Sequence, residues 1–191
     1  MNKRELILNA TLSLVTTRGL YDTPMALVAS EAGVAAGTIY HYFDNKEKLI
    51  IDLYADSKEK MGAALLQKRD PSASYQRQFV QYWRNLYHFY LDNPKIFKFL
   101  EQFDNSPFYD KITKEENEKH YRPVIEFLNQ GVEERILKPV HIELMVGLLH
   151  GSIAAVVKMA LLDPEAIDRS RLIKAIEISW DGLKLRTISN E

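Results

Sequence analysis

The sequence predicts an all-α protein. Apolar residues recur at intervals of three and four through nearly the whole chain, which is the spacing of one face of an α-helix. No segment of useful length alternates apolar and polar residues as a half-buried β-strand does. The 191 residues are 46% hydrophobic with only 8 Gly and 7 Pro, a composition typical of a globular chain with a substantial core.

The first 48 residues predict three short helices. The first has an apolar face over 7–14 and ends at Gly19. Thr23 is expected to cap the second helix, because a threonine followed by proline is a typical helix start. Gly33 ends the second helix in a sharp turn, where glycine allows a positive φ, and a third helix covers about 36–42.

From about residue 45 the predicted helices are longer. Either Asp44 or Asn45 can cap a helix that continues to about Arg69. Further helices are predicted from the aromatic run at Phe79, after Asn93, around Pro123 as a kink or a helix start, over 142–162, and after Pro164. This change in helix length predicts two domains, at 1–48 and 49–191.

Composition and motifs argue against an enzyme. The chain has no cysteine, which excludes disulfide scaffolds, thiolate metal sites and cysteine nucleophiles. No histidine follows a glutamate by three residues and no two histidines are four apart, so the di-iron and zinc-protease motifs are absent. We therefore expect no cofactor and no metal, and interpret the histidines as solvated or hydrogen-bonded within the fold: His88, His120, His141 and His150.

The sequence also argues against a membrane protein. Its most apolar stretch, 144–157, has 14 residues and is too short to span a bilayer. Polar residues interrupt the N-terminal apolar run, so it does not resemble a signal peptide. We expect a soluble, cytoplasmic protein with no membrane partner.

A glycine turn between two short helices suggests a helix-turn-helix. The predicted recognition helix at 36–42 presents small, hydroxylated and imidazole side chains, which suit entry into a major groove. However, it has no Lys or Arg, and residues 1–48 carry five basic and five acidic side chains. The same turn also occurs in proteins that never bind DNA. These residues alone leave open an all-α small-molecule-binding protein or enzyme whose helix-turn-helix is purely structural.

Two runs resemble the DNA-binding domain of TetR-family transcriptional regulators: EAGVAAGTIYHYF at 31–43 and NKEKL at 45–49. The resemblance implies a phosphate contact at the cap of the second helix, backbone contacts from Thr38 and Tyr40, and base contacts from the small residues and His41. Lys46 would meet a further phosphate. The implied DNA-binding residues are Thr23, Ala36, Gly37, Thr38, Tyr40, His41, Tyr42 and Lys46. Pro24 and Ala26 depart from the family pattern, where hydroxylated and basic residues are common.

The resemblance further implies a homodimer with a ligand pocket in the second domain. The candidate pocket residues form an aromatic set that would suit a small hydrophobic or planar effector: Tyr82, Trp83, Leu86, Tyr90, Phe97, Leu100, Phe103, Tyr121, Ile125 and Leu128. The candidate dimer interface combines small and large apolar residues: Gly147, Gly151, Ala154, Ala155, Ile173, Ile176 and Trp180. Aromatic residues at helical spacing are also typical of an ordinary core, and the small residues could pack within one chain, although the resemblance favours the dimer. The expected function is a ligand-responsive repressor that binds a palindromic operator in double-stranded DNA as a homodimer.

Overall fold

The computed structural model describes residues 2–185 and confirms the all-α prediction. The helices, in chain order, are α1 (Lys3–Arg18), α2 (Met25–Glu31), α3 (Ala36–Tyr42), α4 (Lys46–Leu65), α5 (Tyr75–Asp92), α6 (Pro94–Asp104), α7 (Lys114–Glu118), α8 (Arg122–Glu133), α9 (Ile142–Leu162) and α10 (Arg169–Leu183). A 3-10 turn covers Tyr109–Lys111. Within residues 2–185, β-structure is limited to an isolated antiparallel bridge between Leu137 and Lys184.

Backbone contacts divide the chain into two compact units. Of the described residues, the first comprises 2–60 together with Asn93–Asn117. The second comprises Met61–Asp92 and 118–185. Helix α4 begins in the first unit and ends in the second. The first unit therefore includes α6 as well as the three short helices that the sequence sets apart at 1–48.

In the first unit, α1 packs against α2 and α6. A capping box starts α1, because the Asn2 side chain accepts from the Glu5 amide while the Glu5 carboxylate accepts from the Asn2 amide. Ile7 on α1, Ile39 on α3 and Phe43 are fully buried. These contacts fix α2 and α3 on a common core.

The ends of α4 answer one open question and correct one expectation. The Asn45 side chain accepts from the amide of Lys48 at 2.9 Å, so Asn45 is the cap. The helix ends at Leu65 and not near Arg69. The physical reason is local: Lys68 has φ 52°, in the left-handed region that an α-helix cannot continue through.

In the second unit, α9 packs against α5, α8 and α10. Pro123 lies in the first turn of α8 and marks a helix start rather than a kink. Gly131 permits a close approach, since a Cβ there would lie 2.2 Å from the Tyr75 hydroxyl. The Tyr75 ring stacks on Phe127 at 4.1 Å, and its hydroxyl donates to the Phe127 carbonyl.

Helix α9 is longer than its most apolar stretch. It spans 21 residues, and it is the one helix within 2–185 that is long and apolar enough to cross a membrane by length and composition. The expectation that this segment is too short to span a bilayer therefore does not hold for the whole helix. The apolar window of α9 is 28% buried, so much of its apolar surface faces outward in the single chain.

Candidate functional site

The turn between α2 and α3 has the geometry of a helix-turn-helix. Gly33 adopts φ +65°, which is accessible to glycine without strain. The amide of Val34 donates to the carbonyl of Ala29 at 2.9 Å and closes the turn. Ile39 is fully buried and anchors α3, so the opposite face of α3 is free to meet a partner.

The exposed face of α3 carries the residues predicted to contact DNA. Tyr40 is 55% exposed, and Ala36, Gly37, His41 and Tyr42 are also exposed. Thr38 is half-buried. A Cβ added at Gly37 would have no heavy atom within 4 Å, so this surface has room for close approach of a partner. The face offers hydroxyl and imidazole groups for hydrogen bonding and no formal positive charge from Lys or Arg.

Thr23 does not cap α2, and this prediction is wrong. The N-cap is Pro24, with extended backbone. Thr23 is 1% exposed, and its hydroxyl donates to the Gly19 carbonyl at 2.9 Å. The threonine side chain therefore stabilises the turn after α1, and its hydroxyl is engaged there rather than at the start of α2.

Lys46 lies at the start of α4, as predicted, but its ammonium is already engaged. Its Nζ donates to the carbonyl of Tyr21 at 2.5 Å. Burial lowers the pKa of Lys46 by penalising the charged form, although the nearby Asp22 opposes this shift. Two of the three ammonium protons remain for other acceptors such as a phosphate.

The structure adds a segment that sequence reasoning missed. After α6, Phe108 stacks on the exposed ring of Tyr21, with ring centroids 6.0 Å apart and planes 27° apart. Three residues later, the Lys111 ammonium forms an ion pair with Glu47, which follows Lys46. No local pattern links residues more than 60 positions apart, so no signal in the sequence could have found this contact.

The candidate effector residues of the second unit are mostly core. Leu86 is buried, as are Trp83, Tyr90 and Leu128, while Tyr121 and Ile125 are half-buried. The Trp83 indole donates to the Ser179 hydroxyl at 3.1 Å. The Tyr90 hydroxyl is 2.9 Å from the Nε2 atom of His150, so this histidine is hydrogen-bonded as expected.

Tyr82 differs from these residues. It is 4% exposed, its ring is 5.0 Å from that of Phe127, and its buried hydroxyl has no hydrogen-bond partner among residues 2–185. Burial raises the pKa of Tyr82 above its ordinary value. An unpaired buried hydroxyl costs free energy and is available to a bound molecule.

The other three candidate pocket residues lie on α6, in the first unit. Phe97 and Leu100 are buried there, and Phe103 stacks on Tyr54 at 4.1 Å. The ten candidate residues are thus divided between the two units. That they line one pocket stays a prediction.

Within residues 2–185, no three His, Asp or Glu side chains come close enough to hold a metal ion.

Comparison with known proteins assigns the family. Residues 7–53 match the model of the bacterial regulatory proteins of the tetR family, and residues 74–184 match that of the tetracyclin repressor-like C-terminal domain. The chain belongs to the TetR family of transcriptional regulators. Members of this family are DNA-binding regulators and not enzymes.

Individual relatives agree with this assignment. An uncharacterized HTH-type transcriptional regulator of Haemophilus influenzae is 38% identical over 111 residues, which are 58% of this chain and 59% of that protein. The chain thus matches less than two thirds of that relative. A putative tetR family regulator from Shewanella sp. PV-4 has a TM-score of 0.91 at 24% identity, covering 97% of this chain and 100% of the other.

A more distant likeness of fold comes from the transcriptional regulator FadR of Bacillus subtilis, solved in complex with stearoyl-CoA. Its TM-score is 0.76 at 20% identity, and the match covers 93% of this chain and 98% of that one.

The last two helices of this TetR-family chain carry an exposed apolar stripe. Residues of α9 spaced by three or four face outward together: Leu144, Leu148, Gly151, Ala155, Met159 and Leu162. Gly147 borders the stripe and is also exposed. On α10, Ile178 is 72% exposed. We refer to these α9 and α10 residues as the α9–α10 stripe.

The stripe includes some of the predicted interface residues and leaves out others. Ala154, Ile176 and Trp180 are buried within the chain, and Ile173 is half-buried. Trp180 is 9% exposed because it packs against Phe79, with ring centroids 5.2 Å apart. These residues are core of the second unit. Ile178, which the sequence reasoning did not select, takes the place of Trp180 as the large exposed side chain.

Proposed function

We propose that this TetR-family regulator is a cytoplasmic repressor that binds a palindromic operator as a homodimer and is released by a small hydrophobic effector. The single observation that supports DNA binding is the exposed face of α3, which has open space at Gly37 and belongs to a well-formed helix-turn-helix. A two-fold axis would place two such helices in successive major grooves, which matches a palindromic site.

The proposed homodimer rests on the α9–α10 stripe. Leu144 and Leu148 are each more than half exposed, and Ile178 is 72% exposed. Large exposed apolar side chains concentrated on two helices mark an interaction site. Small residues at Gly151 and Ala155 allow two α9 helices to approach closely. A second copy presents the same stripe, so an isologous contact buries both at once.

The proposed effector binds in the second unit beside Tyr82. The walls of the binding site would be aromatic and aliphatic, and the unpaired Tyr82 hydroxyl would supply one hydrogen bond to the effector. The FadR complex with stearoyl-CoA supports a hydrophobic ligand, since that fold accommodates a long acyl chain. The effector would release DNA by binding better to the dimer geometry that does not fit the operator, with about 1–3 kcal/mol of coupling.

The test is a gel-shift assay with the DNA upstream of the protein's own gene. We expect a salt-sensitive shifted complex that contains two chains, and its loss on adding a cognate hydrophobic compound. Deletion of the gene should raise transcription from that promoter. Lower transcription on deletion would make the protein an activator. Absence of any DNA complex would leave the alternative of a small-molecule-binding protein with a purely structural helix-turn-helix.

A further inference from the structure

We propose that the segment after α6 belongs to the DNA-binding surface, and that Lys111 acts there by neutralising Glu47. This inference rests on the proposed DNA contact of Lys46 and extends the interface beyond the helix-turn-helix. It assigns a positioning role to a residue 69 positions beyond the end of α3.

An acidic side chain, Glu47, lies next to Lys46 in the sequence. Glu47 directly follows Lys46 at the start of α4, and its carboxylate is about half exposed. A phosphate that approaches Lys46 also approaches Glu47, and like charges a few ångströms apart repel. Left unpaired, Glu47 would oppose the very contact that Lys46 makes.

Lys111 forms an ion pair with Glu47. The Lys111 ammonium contacts the Glu47 carboxylate, and both side chains remain solvent-accessible. The pair has no net charge, so the repulsion between Glu47 and a phosphate is largely cancelled. An exposed pair of this kind contributes little to folding stability. Its effect is therefore expected in binding, and variants of either residue should fold.

The segment that carries Lys111 is held in place by Phe108. The ring of Phe108 stacks on Tyr21, whose carbonyl accepts the hydrogen bond from Lys46. The amide of Lys111 donates to the Phe108 carbonyl at 3.2 Å. Thus the same short segment contacts Tyr21 through the Phe108 ring and Glu47 through the Lys111 ammonium.

Two other cations of the first unit are already paired with an acidic side chain. Arg4 and Lys48 both pair with Asp52, at 3.2 and 2.6 Å. Residues 1–48 carry equal numbers of basic and acidic side chains. With the charges of residues 1–48 balanced, one uncompensated carboxylate at the interface changes the local charge that DNA meets.

The experiment measures binding of the full-length protein to a 30-base-pair duplex by fluorescence anisotropy across a range of salt concentrations. Non-specific duplex suffices, because phosphate electrostatics dominate its affinity. The variants are Lys111→Ala, Glu47→Gln and the double variant. Lys98→Ala is the matched control, since it removes one exposed lysine from α6 of the same unit. Thermal melts by circular dichroism establish that each variant folds.

We expect Lys111→Ala to weaken binding about two- to tenfold at low salt, more than Lys98→Ala does. Glu47→Gln should bind at least as tightly as wild type. The double variant should bind as tightly as Glu47→Gln. With no carboxylate at position 47, there is no negative charge for Lys111 to neutralise, so its loss has no effect. Recovery by a change at Glu47 is a result that a merely structural role of Lys111 would not produce.

Two results would overturn the inference while leaving DNA binding by the protein intact. Equal effects of Lys111→Ala and Lys98→Ala would show that only overall charge matters. A double variant as weak as Lys111→Ala would show that Lys111 itself contacts the phosphates. Failure of the wild-type protein to bind any duplex would instead refute the DNA-binding function on which the inference rests.

Discussion

Replacing Gly151 with leucine tests the dimer separately from the fold. Gly151 is exposed on α9, and a Cβ built there has no heavy atom within 4 Å. The single chain therefore accepts the larger side chain without a clash. Leucine also favours the helix over glycine by roughly 0.5–1 kcal/mol. The substitution should leave the folded chain as stable as before or slightly more so.

The proposed dimer should respond in the opposite direction. Overpacking of a close contact costs about 1–3 kcal/mol per site, and two-fold symmetry applies that cost twice. A total of about 2–6 kcal/mol raises the dimer Kd by about thirtyfold to 10⁴-fold, at 1.4 kcal/mol per factor of ten. Operator affinity should fall in parallel, although Gly151 lies outside the helix-turn-helix.

Sedimentation velocity over a concentration series measures this Kd directly. The control is Gln130→Leu, which adds a leucine at an exposed position of α8, away from the α9–α10 stripe. We expect the control to stay dimeric at micromolar concentration and Gly151→Leu to sediment as a monomer. A Gly151→Leu protein that remains dimeric would place the interface elsewhere, and a monomeric wild type would refute the dimer altogether.

Four further predictions concern single side chains. Tyr40→Ala should leave the melting temperature unchanged, since the ring is 55% exposed, yet weaken operator binding by about 1–3 kcal/mol in anisotropy titrations; equal affinity would remove Tyr40 from the interface. Tyr82→Phe should raise the melting temperature by about 2–10 °C by removing an unpaired buried hydroxyl, and a lower value in calorimetry would mean that the hydroxyl is hydrogen-bonded. Burial lowers the pKa of Lys58 to about 8, so the unfolded chain binds more protons between pH 8 and 10.5 and this lysine makes stability rise with pH there; urea unfolding of Lys58→Met at pH 7 and 9.5 should lack that rise. Gly131→Ala should destabilise by about 1–3 kcal/mol because its Cβ would lie 2.2 Å from a tyrosine hydroxyl, whereas Gly182→Ala, in open space, should not; equal urea midpoints would contradict this packing.

Local patterns in the sequence predicted the elements whose causes are local. The bounds of α9 at 142–162 follow from a long apolar run that a proline at position 164 closes, and the structure has the same bounds. Gly33 was expected to adopt a positive φ from its place between two short helices, and it does. The outward residues of α3 follow from helical periodicity once Ile39 is taken as its buried anchor.

The errors arose where a side chain had two possible partners. Thr23 could cap α2 or bond to the turn behind it, and the carbonyl of Gly19 accepts its hydroxyl. Trp180 could anchor a dimer or fill the core, and it packs against Phe79. Periodicity identifies the apolar face of a helix but does not tell which neighbour covers it. Long-range pairs such as Lys111 with Glu47 are beyond that kind of reasoning.

The charge arrangement of the first unit has a consequence for how this regulator selects its DNA. Non-specific affinity grows with the number of phosphates that cations neutralise. Here α3 has no Lys or Arg, and Arg4 and Lys48 both pair with Asp52. Attraction to bulk DNA should therefore be modest. In the proposed complex, hydrogen bonds and shape at the exposed face of α3, including Tyr40 and His41, should then supply a larger share of the operator affinity. Contacts of that kind depend on sequence and local geometry, so weak general attraction favours a high ratio of specific to non-specific binding.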